Sequence, residues 1–177
     1  MSAYQTFETE RLLIRPTQTA DAEFILELLN SPKWIQFIGD RKVYTLEEAA
    51  EYIRSRMLPQ FERLGYSNNT VIRKEDGKKI GTCGLYDREG IDGVDIGFAF
   101  LSEFEGKGYA FEAAEVIKNA AFDFFGLSVI NGMTTKDNFS SQKLLEKLGL
   151  KLMGTIRMPN DDEELLLFSL KRNEIWT

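Results

Sequence analysis

The sequence predicts a single α/β domain of the α+β type, spanning residues 1–177 and built on a mixed, mainly antiparallel sheet of about seven strands with helices on both faces. The chain is long enough for one sizeable core and too short for two ordinary domains. Its apolar residues alternate between strand-like and helix-like spacing. A long helical stretch between two strand-like stretches indicates a β-α-β crossover near the sheet centre.

The amino-terminal half predicts one strand followed by two helices. Leu12 to Pro16 is a short strand, and Thr19 is expected to cap the first helix, which stops before the next proline. Thr45 and Glu48 have the spacing of a capping box, so they predict the start of the second helix, and Gly65 is expected to end it. Apolar residues of the first helix recur at helical spacing: Phe24, Ile25, Leu28 and Leu29.

The rest of the chain predicts strands arranged around two further helices. One helix follows Gly106 and Gly108 and stops at Gly126, whereas the other is capped by Asn138 and ends at Gly149. Turn residues and alternating patterns predict the strands Asn69 to Arg73, Lys79 to Tyr86, Val94 to Leu101, Ser128 to Thr134, Lys151 to Ile156 and Glu164 to Leu170.

The amino-acid composition limits the kinds of site and partner that the protein can have. The chain has no histidine, so it lacks the commonest metal ligand and the commonest general base, and we expect no metal. A net charge of -6 argues against nucleic-acid binding and favours a cationic partner such as an amine. No apolar run is long enough to cross a bilayer, so we expect a cytoplasmic protein. Cys83 lies in an apolar stretch that predicts burial rather than nucleophilic reactivity.

A glycine-bearing turn leads from the strand that starts near Asp95 into the long helix. The first N–H groups of a helix have no internal acceptor, and glycines allow close approach of an anion, so Gly106 and Gly108 predict a pyrophosphate site. A dinucleotide motif is excluded because position 111 is Phe. A Walker motif is excluded because a glycine, not Ser or Thr, follows Lys107.

Two segments, residues 95–110 and 138–150, together resemble the GNAT acetyltransferase superfamily. With the opening residues 8–15, they resemble its ribosomal-protein N-terminal acetyltransferase-like (RimJ/RimL-type) branch. The resemblance implies an enzyme that transfers acetyl from acetyl-CoA to a primary amine, either a protein N-terminal α-amine or a small-molecule amine. A homodimer is a separate expectation, which does not depend on the resemblance. The competing function is a CoA-binding sensor or scaffold with little or no turnover.

The resemblance also implies where acetyl-CoA binds. It places the pantetheine arm on the backbone of Phe98, Ala99 and Phe100, in an opening between the strands that start near Asp95 and Ser128. Asn138 matches an asparagine that binds the cofactor, and it also fits a plain helix cap. The pyrophosphate is expected on the amides of the turn: Glu105, Gly106, Lys107, Gly108, Tyr109 and Ala110.

The sequence departs from the family pattern at two positions. Glu105 replaces a Gln or Arg at the start of the turn, which backbone binding tolerates. Leu145 stands where many members have a tyrosine that protonates the leaving thiolate. Ser141 matches a serine that this branch uses near the sulfur, so it is a candidate acid and cofactor contact, the alternative being simple polarity of a helix surface.

The acceptor side is less defined by the sequence. Asp95 is the candidate general base, with Glu103 as the second choice, because an amine must lose a proton during transfer. Trp34 and Phe37 are candidate acceptor contacts, the alternative being core packing. The acidic residues 161–164 could attract a cationic acceptor or form only a solvated turn. Direct transfer is expected, since Cys83 has no histidine to activate it.

Overall fold

The computed structural model describes residues 4–175. Its strands are β1 (Phe7–Glu8), β2 (Leu12–Pro16), β3 (Asn68–Arg73), β4 (Lys79–Asp87), β5 (Val94–Phe100), β6 (Val129–Thr134), β7 (Lys151–Arg157) and β8 (Glu164–Lys171). Its helices are α1 (Ala22–Leu29), α2 (Pro32–Phe37), α3 (Leu46–Tyr52), α4 (Leu58–Leu64), α5 (Tyr109–Asp123) and α6 (Phe139–Lys147). No helix among these residues is long and apolar enough to span a membrane.

The strands form one mixed sheet in the order β1-β2-β3-β4-β5-β6-β8-β7. Every neighbouring pair is antiparallel except β5 and β6, which are parallel and joined by α5. The expected fold class and its central β-α-β crossover are therefore confirmed. The sheet has eight strands where about seven were expected, because Phe7 pairs with Ile14 in an additional strand of two residues. So short a strand shows no alternating pattern in the sequence.

The two strands at the crossover separate along their length. They pair only at Val94 with Ile130 and at Asp95 with Asn131. Beyond these pairs β5 continues to Phe100 without a partner on that side. The fold thus opens a cleft above Asp95, and the edge of β5 that faces it carries backbone groups free to bind an extended ligand.

The sheet has one apolar and one polar face near the cleft. Helices α5 and α6 pack on the apolar face, where Leu85 lies opposite Ile96 and Ile130 opposite Leu170. Residues directly opposite each other in a sheet share a face. The register therefore places a second set of side chains together on the face away from α5 and α6. We call this set the polar face: Arg15, Thr70, Tyr86, Asp95 and Asn131.

The expected helix boundaries were partly right. The capping box at Thr45 and Glu48 is confirmed, with both reciprocal hydrogen bonds at 3.1 Å. Gly65 ends α4 in the left-handed conformation. Thr19 is not the cap of the first helix, because residues 19–21 form a 3₁₀ turn before it. Gln18, in an extended conformation, precedes that turn. The side chain of Asp21 accepts the backbone N–H of Gln18 at 2.9 Å and fixes that turn.

Two helical features were not expected from the sequence. Pro32, taken as a helix stop, opens α2, where its missing N–H costs nothing at the first helical position. Residues Ile53–Met57 form a π-helical turn between α3 and α4. Such turns accommodate an extra residue in a helix and occur frequently beside functional sites. This one directly follows Tyr52.

Candidate active site

The glycine-bearing turn adopts the geometry that an anion site needs. Gly106 and Gly108 have φ values of 72° and 81°, in the left-handed region that favours glycine. At the start of α5 the N–H of Glu112 donates to the carbonyl of Gly108 at 3.1 Å. The preceding amides of the helix therefore lack an internal acceptor, and the helix dipole adds positive potential there. The turn can hold a phosphate by backbone alone.

Arg11 fastens this turn to the sheet. Its Nε donates to Glu112 Oε1 at 2.8 Å, and its Nη1 donates to the carbonyl of Lys107 at 3.0 Å. The guanidinium also lies 4.3 Å from the ring centre of Tyr109, whose buried side chain leaves only the backbone N–H for a ligand. Arg11 thus holds both sides of the α5 start in place. About 100 residues separate it from these partners, which no local pattern reveals.

Glu105 differs from the expectation that its amide binds phosphate. Its backbone N–H donates to the carbonyl of Ser102 at 3.2 Å, and its carboxylate pairs with Lys33 on α2. The free amides of the turn consequently begin at Gly106. Lys33 neutralises an acidic side chain that would otherwise repel an anion. No local pattern predicts this pair, because its two residues lie 72 positions apart.

The cleft between β5 and β6 is bordered by the last residues of β5 and by Thr135, the residue after β6. The β5 residues Phe98 and Ala99 are half-buried, and Phe100 is buried. Thr135 follows the end of β6, and its buried hydroxyl has no hydrogen-bond partner within residues 4–175. Buried polar atoms are almost always satisfied, so an orphaned hydroxyl at this place fits a bound polar ligand. The free backbone edge of β5 and the Thr135 hydroxyl suit the pantetheine arm, which is expected in this cleft.

Helix α6 presents its first turn towards the same region. The side chain of Asn138 accepts the N–H of Ser141 at 3.3 Å, so the predicted cap is confirmed while the amide nitrogen of Asn138 stays free. Leu145, one turn after Ser141, packs on β6 so closely that a Cβ at Gly132 would lie 2.5 Å from it. Residues one turn apart share a helix face, which directs Ser141 towards the end of β6. Its hydroxyl has no bond to the described residues.

Asp95 lies where β5 and β6 separate. It is only 5% exposed, and its Oδ2 accepts a hydrogen bond of 2.8 Å from Arg88 Nε. Its Oδ1 is buried and accepts no hydrogen bond of ordinary geometry within residues 4–175, although the backbone N–H of Met133 lies near enough to stabilise the ionised carboxylate. Burial raises the pKa of Asp95 to about 6, against the opposing effect of Arg88. A carboxylate with this pKa is ionised at neutral pH and able to accept a proton.

Tyr86 forms the floor beside Asp95 on the polar face. Its hydroxyl donates to Asn68 Oδ1 at 2.5 Å, and burial raises its pKa. The ring lies so close to β5 that a Cβ at Gly97 would be 2.7 Å from its Cε2 atom. Gly97 is therefore needed for the ring to lie flat against the sheet, a role that the sequence did not suggest.

The remaining candidates are placed as follows. Trp34 and Phe37 lie half-buried on α2, and Trp34 packs against the core while its Nε1 is buried without a partner in the described chain. Glu103 is exposed in a 3₁₀ turn. Cys83 is fully buried, which raises the pKa of its thiol to about 12 and confirms the expected burial. The described residues contain no group of three or more acidic or cysteine side chains arranged for a metal.

Comparison with known proteins agrees with this architecture. The profile of the family "Acetyltransferase (GNAT) domain" matches residues 11–151. The uncharacterised N-acetyltransferase p20 of Bacillus licheniformis is 28% identical over 156 residues, covering 86% of each chain. The ribosomal-protein-S5-alanine acetyltransferase of Vibrio fischeri superposes with a TM-score of 0.79 at 23% identity, covering 98% and 99% of the two chains.

A ribosomal L7/L12 α-N-protein acetyltransferase, RimL, solved with coenzyme A, superposes with a TM-score of 0.81 at 15% identity. The superposition covers 94% of this chain and 98% of RimL. At these identities the solved structures establish only the fold. Membership of the family rests on the family profile, which covers most of the chain. The chain therefore belongs to the GNAT acetyltransferase family, and relatives that match most of its length are named as N-acetyltransferases.

Proposed function

We propose that this protein transfers acetyl directly from acetyl-CoA to a primary amine within a ternary complex. The observation that carries the proposal is Asp95, a buried carboxylate with one free oxygen at the point where β5 and β6 separate. There it can take the proton that an amine must lose. Protein N-terminal amines are within this class, as the name of the α-N-protein acetyltransferase RimL suggests, and so are small amines.

Acetyl-CoA is held mainly by backbone in this proposal. The amides from Gly106 to Ala110 bind the pyrophosphate, and the free edge of β5 at residues 98–100 pairs with the pantetheine arm. The free amide nitrogen of Asn138 and the orphaned hydroxyl of Thr135 supply side-chain contacts. The acceptor enters from the polar face, and Trp34 and Phe37 on α2 are its candidate apolar contacts.

The chemical step then needs few side chains. The amine nitrogen attacks the thioester carbonyl carbon as Asp95 accepts a proton, and the carbon–sulfur bond breaks. Leu145 stands where many family members have a tyrosine that protonates the thiolate, so that acid is missing here. In this proposal Ser141 donates to the departing sulfur instead. Cys83 is excluded as an acyl carrier by its full burial and high thiol pKa. Positioning and backbone electrostatics supply most of the rate enhancement.

Release of free CoA from acetyl-CoA, measured across a panel of amines, tests the proposal. Transfer predicts thiol release that depends on the acceptor and an acetylated product of matching mass. A sensor or scaffold would bind CoA without release above the rate of spontaneous hydrolysis. Binding measured in parallel by calorimetry separates that case from a protein that does not bind acetyl-CoA at all.

Replacing Gly108 with valine is expected to weaken acetyl-CoA binding at least about tenfold, or about 1.4 kcal/mol. The φ of 81° at Gly108 is strained for valine, and a Cβ there would lie 3.4 Å from Arg11 Nη2. Gly126→Val is the matched control, since Gly126 has a similar φ of 69° with open space around it. Equal affinity of the folded Gly108→Val protein and its control would refute the phosphate site.

Replacing Ser141 with alanine is expected to lower kcat by about 10- to 100-fold while acetyl-CoA affinity stays nearly constant. The thiolate is already a fair leaving group, so a hydrogen bond to it helps without being indispensable. Ser140→Ala, at an exposed neighbouring position, is the control. An unchanged kcat would make Ser141 part of the helix surface only. A loss of affinity instead would assign it to cofactor binding.

A further inference from the structure

Arg88 has hydrogen-bond donors that the protein does not use. Its Nε donates to Asp95, but neither terminal nitrogen has an acceptor within residues 4–175. The side chain is 41% exposed, so these nitrogens are accessible from solvent. A guanidinium offers its donors along several edges, and the use of one edge leaves a pair of parallel N–H groups on another. That pair matches the two oxygens of a carboxylate.

Neighbouring side chains hold the guanidinium of Arg88 in place. It lies 5.0 Å from the ring centre of Tyr86, which supports it from the sheet side. Tyr52, the residue before the π-helical turn, lies near enough to interact electrostatically with Arg88 and Tyr86. The neighbouring Arg63 is paired separately with Asp87 at 2.8 Å. Arg88 is therefore held on the polar face beside Asp95, which it contacts through Nε.

We propose that Arg88 binds a carboxylate of the acceptor, so that the preferred acceptor is a free α-amino acid. This inference rests on the proposed function. The base Asp95 and the cation Arg88 are in direct contact, and only an acceptor whose amine and carboxylate are close together can meet both. In an α-amino acid a single carbon joins the two groups. A protein N-terminus has an uncharged peptide carbonyl at that position and would leave the guanidinium without its anion.

The polar face also has room for the side chain of such an acceptor. A cavity of about 800 Å³ begins at Asn131, the strand partner of Asp95, and extends along Ser169 and Lys171. Its wall is mainly apolar, and Asn131, Ser169 and Lys171 add amide, hydroxyl and ammonium groups to it.

A comparison of matched acceptors tests the inference. After a screen of the standard amino acids by CoA release, the best one is compared with its amide and with a tripeptide that begins with it. The proteins are the wild type, Arg88→Gln, Arg88→Lys and the control Arg63→Gln, which removes a nearby exposed charge. The measured quantity is the ratio of kcat/KM for the free acid to that for the amide. Changes in the reactivity of Asp95 affect both acceptors and cancel in this ratio.

We expect the wild type and Arg63→Gln to prefer the free acid over the amide and the tripeptide. Arg88→Gln is expected to lower the acid-to-amide ratio by about tenfold or more, chiefly through KM, and Arg88→Lys by less. A ratio that Arg88→Gln leaves unchanged, or a wild type that prefers the tripeptide, overturns the inference while the proposed transfer stands.

Failure of the proposed function gives a different result, namely no CoA release with any acceptor. In that case calorimetric titration with the N-acetylated amino acid and with its amide examines the carboxylate site alone. Weaker binding of the acid to Arg88→Gln than to wild type would support the site without transfer. Equal binding to both proteins would refute it.

Discussion

Replacing Asp95 with asparagine is expected to lower kcat/KM by about 100- to 10,000-fold with any good acceptor. Asparagine keeps the shape of the side chain but cannot accept the proton of the amine. Ionised Asp95 is costly to bury, as its raised pKa shows, and Arg88 is exposed enough to be rehydrated. The variant should therefore remain folded, which thermal unfolding verifies before the kinetic comparison.

The wild-type pH profile provides a second measurement of the same group. Because the pKa of Asp95 is raised to about 6, the fraction of enzyme with an ionised base falls as pH decreases through that value. We expect kcat/KM to fall about tenfold per pH unit below it. Glu103→Gln is the control, since Glu103 is the second candidate base. Retained activity in Asp95→Asn with loss in Glu103→Gln would exchange the two roles.

Replacing Asp21 with asparagine is expected to reduce the free energy of unfolding by about 3 kcal/mol. Asp21 is fully buried and accepts two hydrogen bonds of 2.7 Å from Arg15, while Lys79 lies 2.8 Å from its Oδ1. Removing the carboxylate leaves two cations facing each other without their anion. Urea unfolding at neutral pH measures the effect. Asp76→Asn, in a partly exposed pair with Arg73, is the control and should lose less.

The same carboxylate predicts a pH dependence of stability. Burial alone would raise the pKa of Asp21, but hydrogen bonds from Arg15, the Gln18 amide and Lys79 outweigh it and hold the pKa well below its ordinary value of 3.8. A lowered pKa means that its contribution is complete above pH 3.8 and is lost as the pH falls below it. The difference in unfolding free energy between wild type and Asp21→Asn should therefore shrink in acid. A difference independent of pH would contradict the assignment.

Local patterns in the sequence predicted the parts of the fold that neighbouring residues control. The capping box at Thr45 and Glu48 and the αL glycine at Gly65 need only residues within one or two turns. The turn at Gly106 and Gly108 likewise follows from backbone freedom and helix capping. For this reason the longer strands, the crossover and the glycine-bearing turn before α5 could be predicted. Pro32 shows the limit of such patterns, because it can end one helix or begin the next.

The sequence by itself determined the fold class, the position of the glycine-bearing turn before α5 and the acetyltransferase resemblance. The tertiary structure alone decided which charged groups meet. Asp95 is one acidic residue among many until folding buries it against Arg88 at the opening of the sheet. Glu105 meets Lys33 across 72 positions, and Arg11 meets Glu112 across 101. Such contacts depend on how strands and helices pack in space, and burial sets their energies, so spacing along the chain does not reveal them.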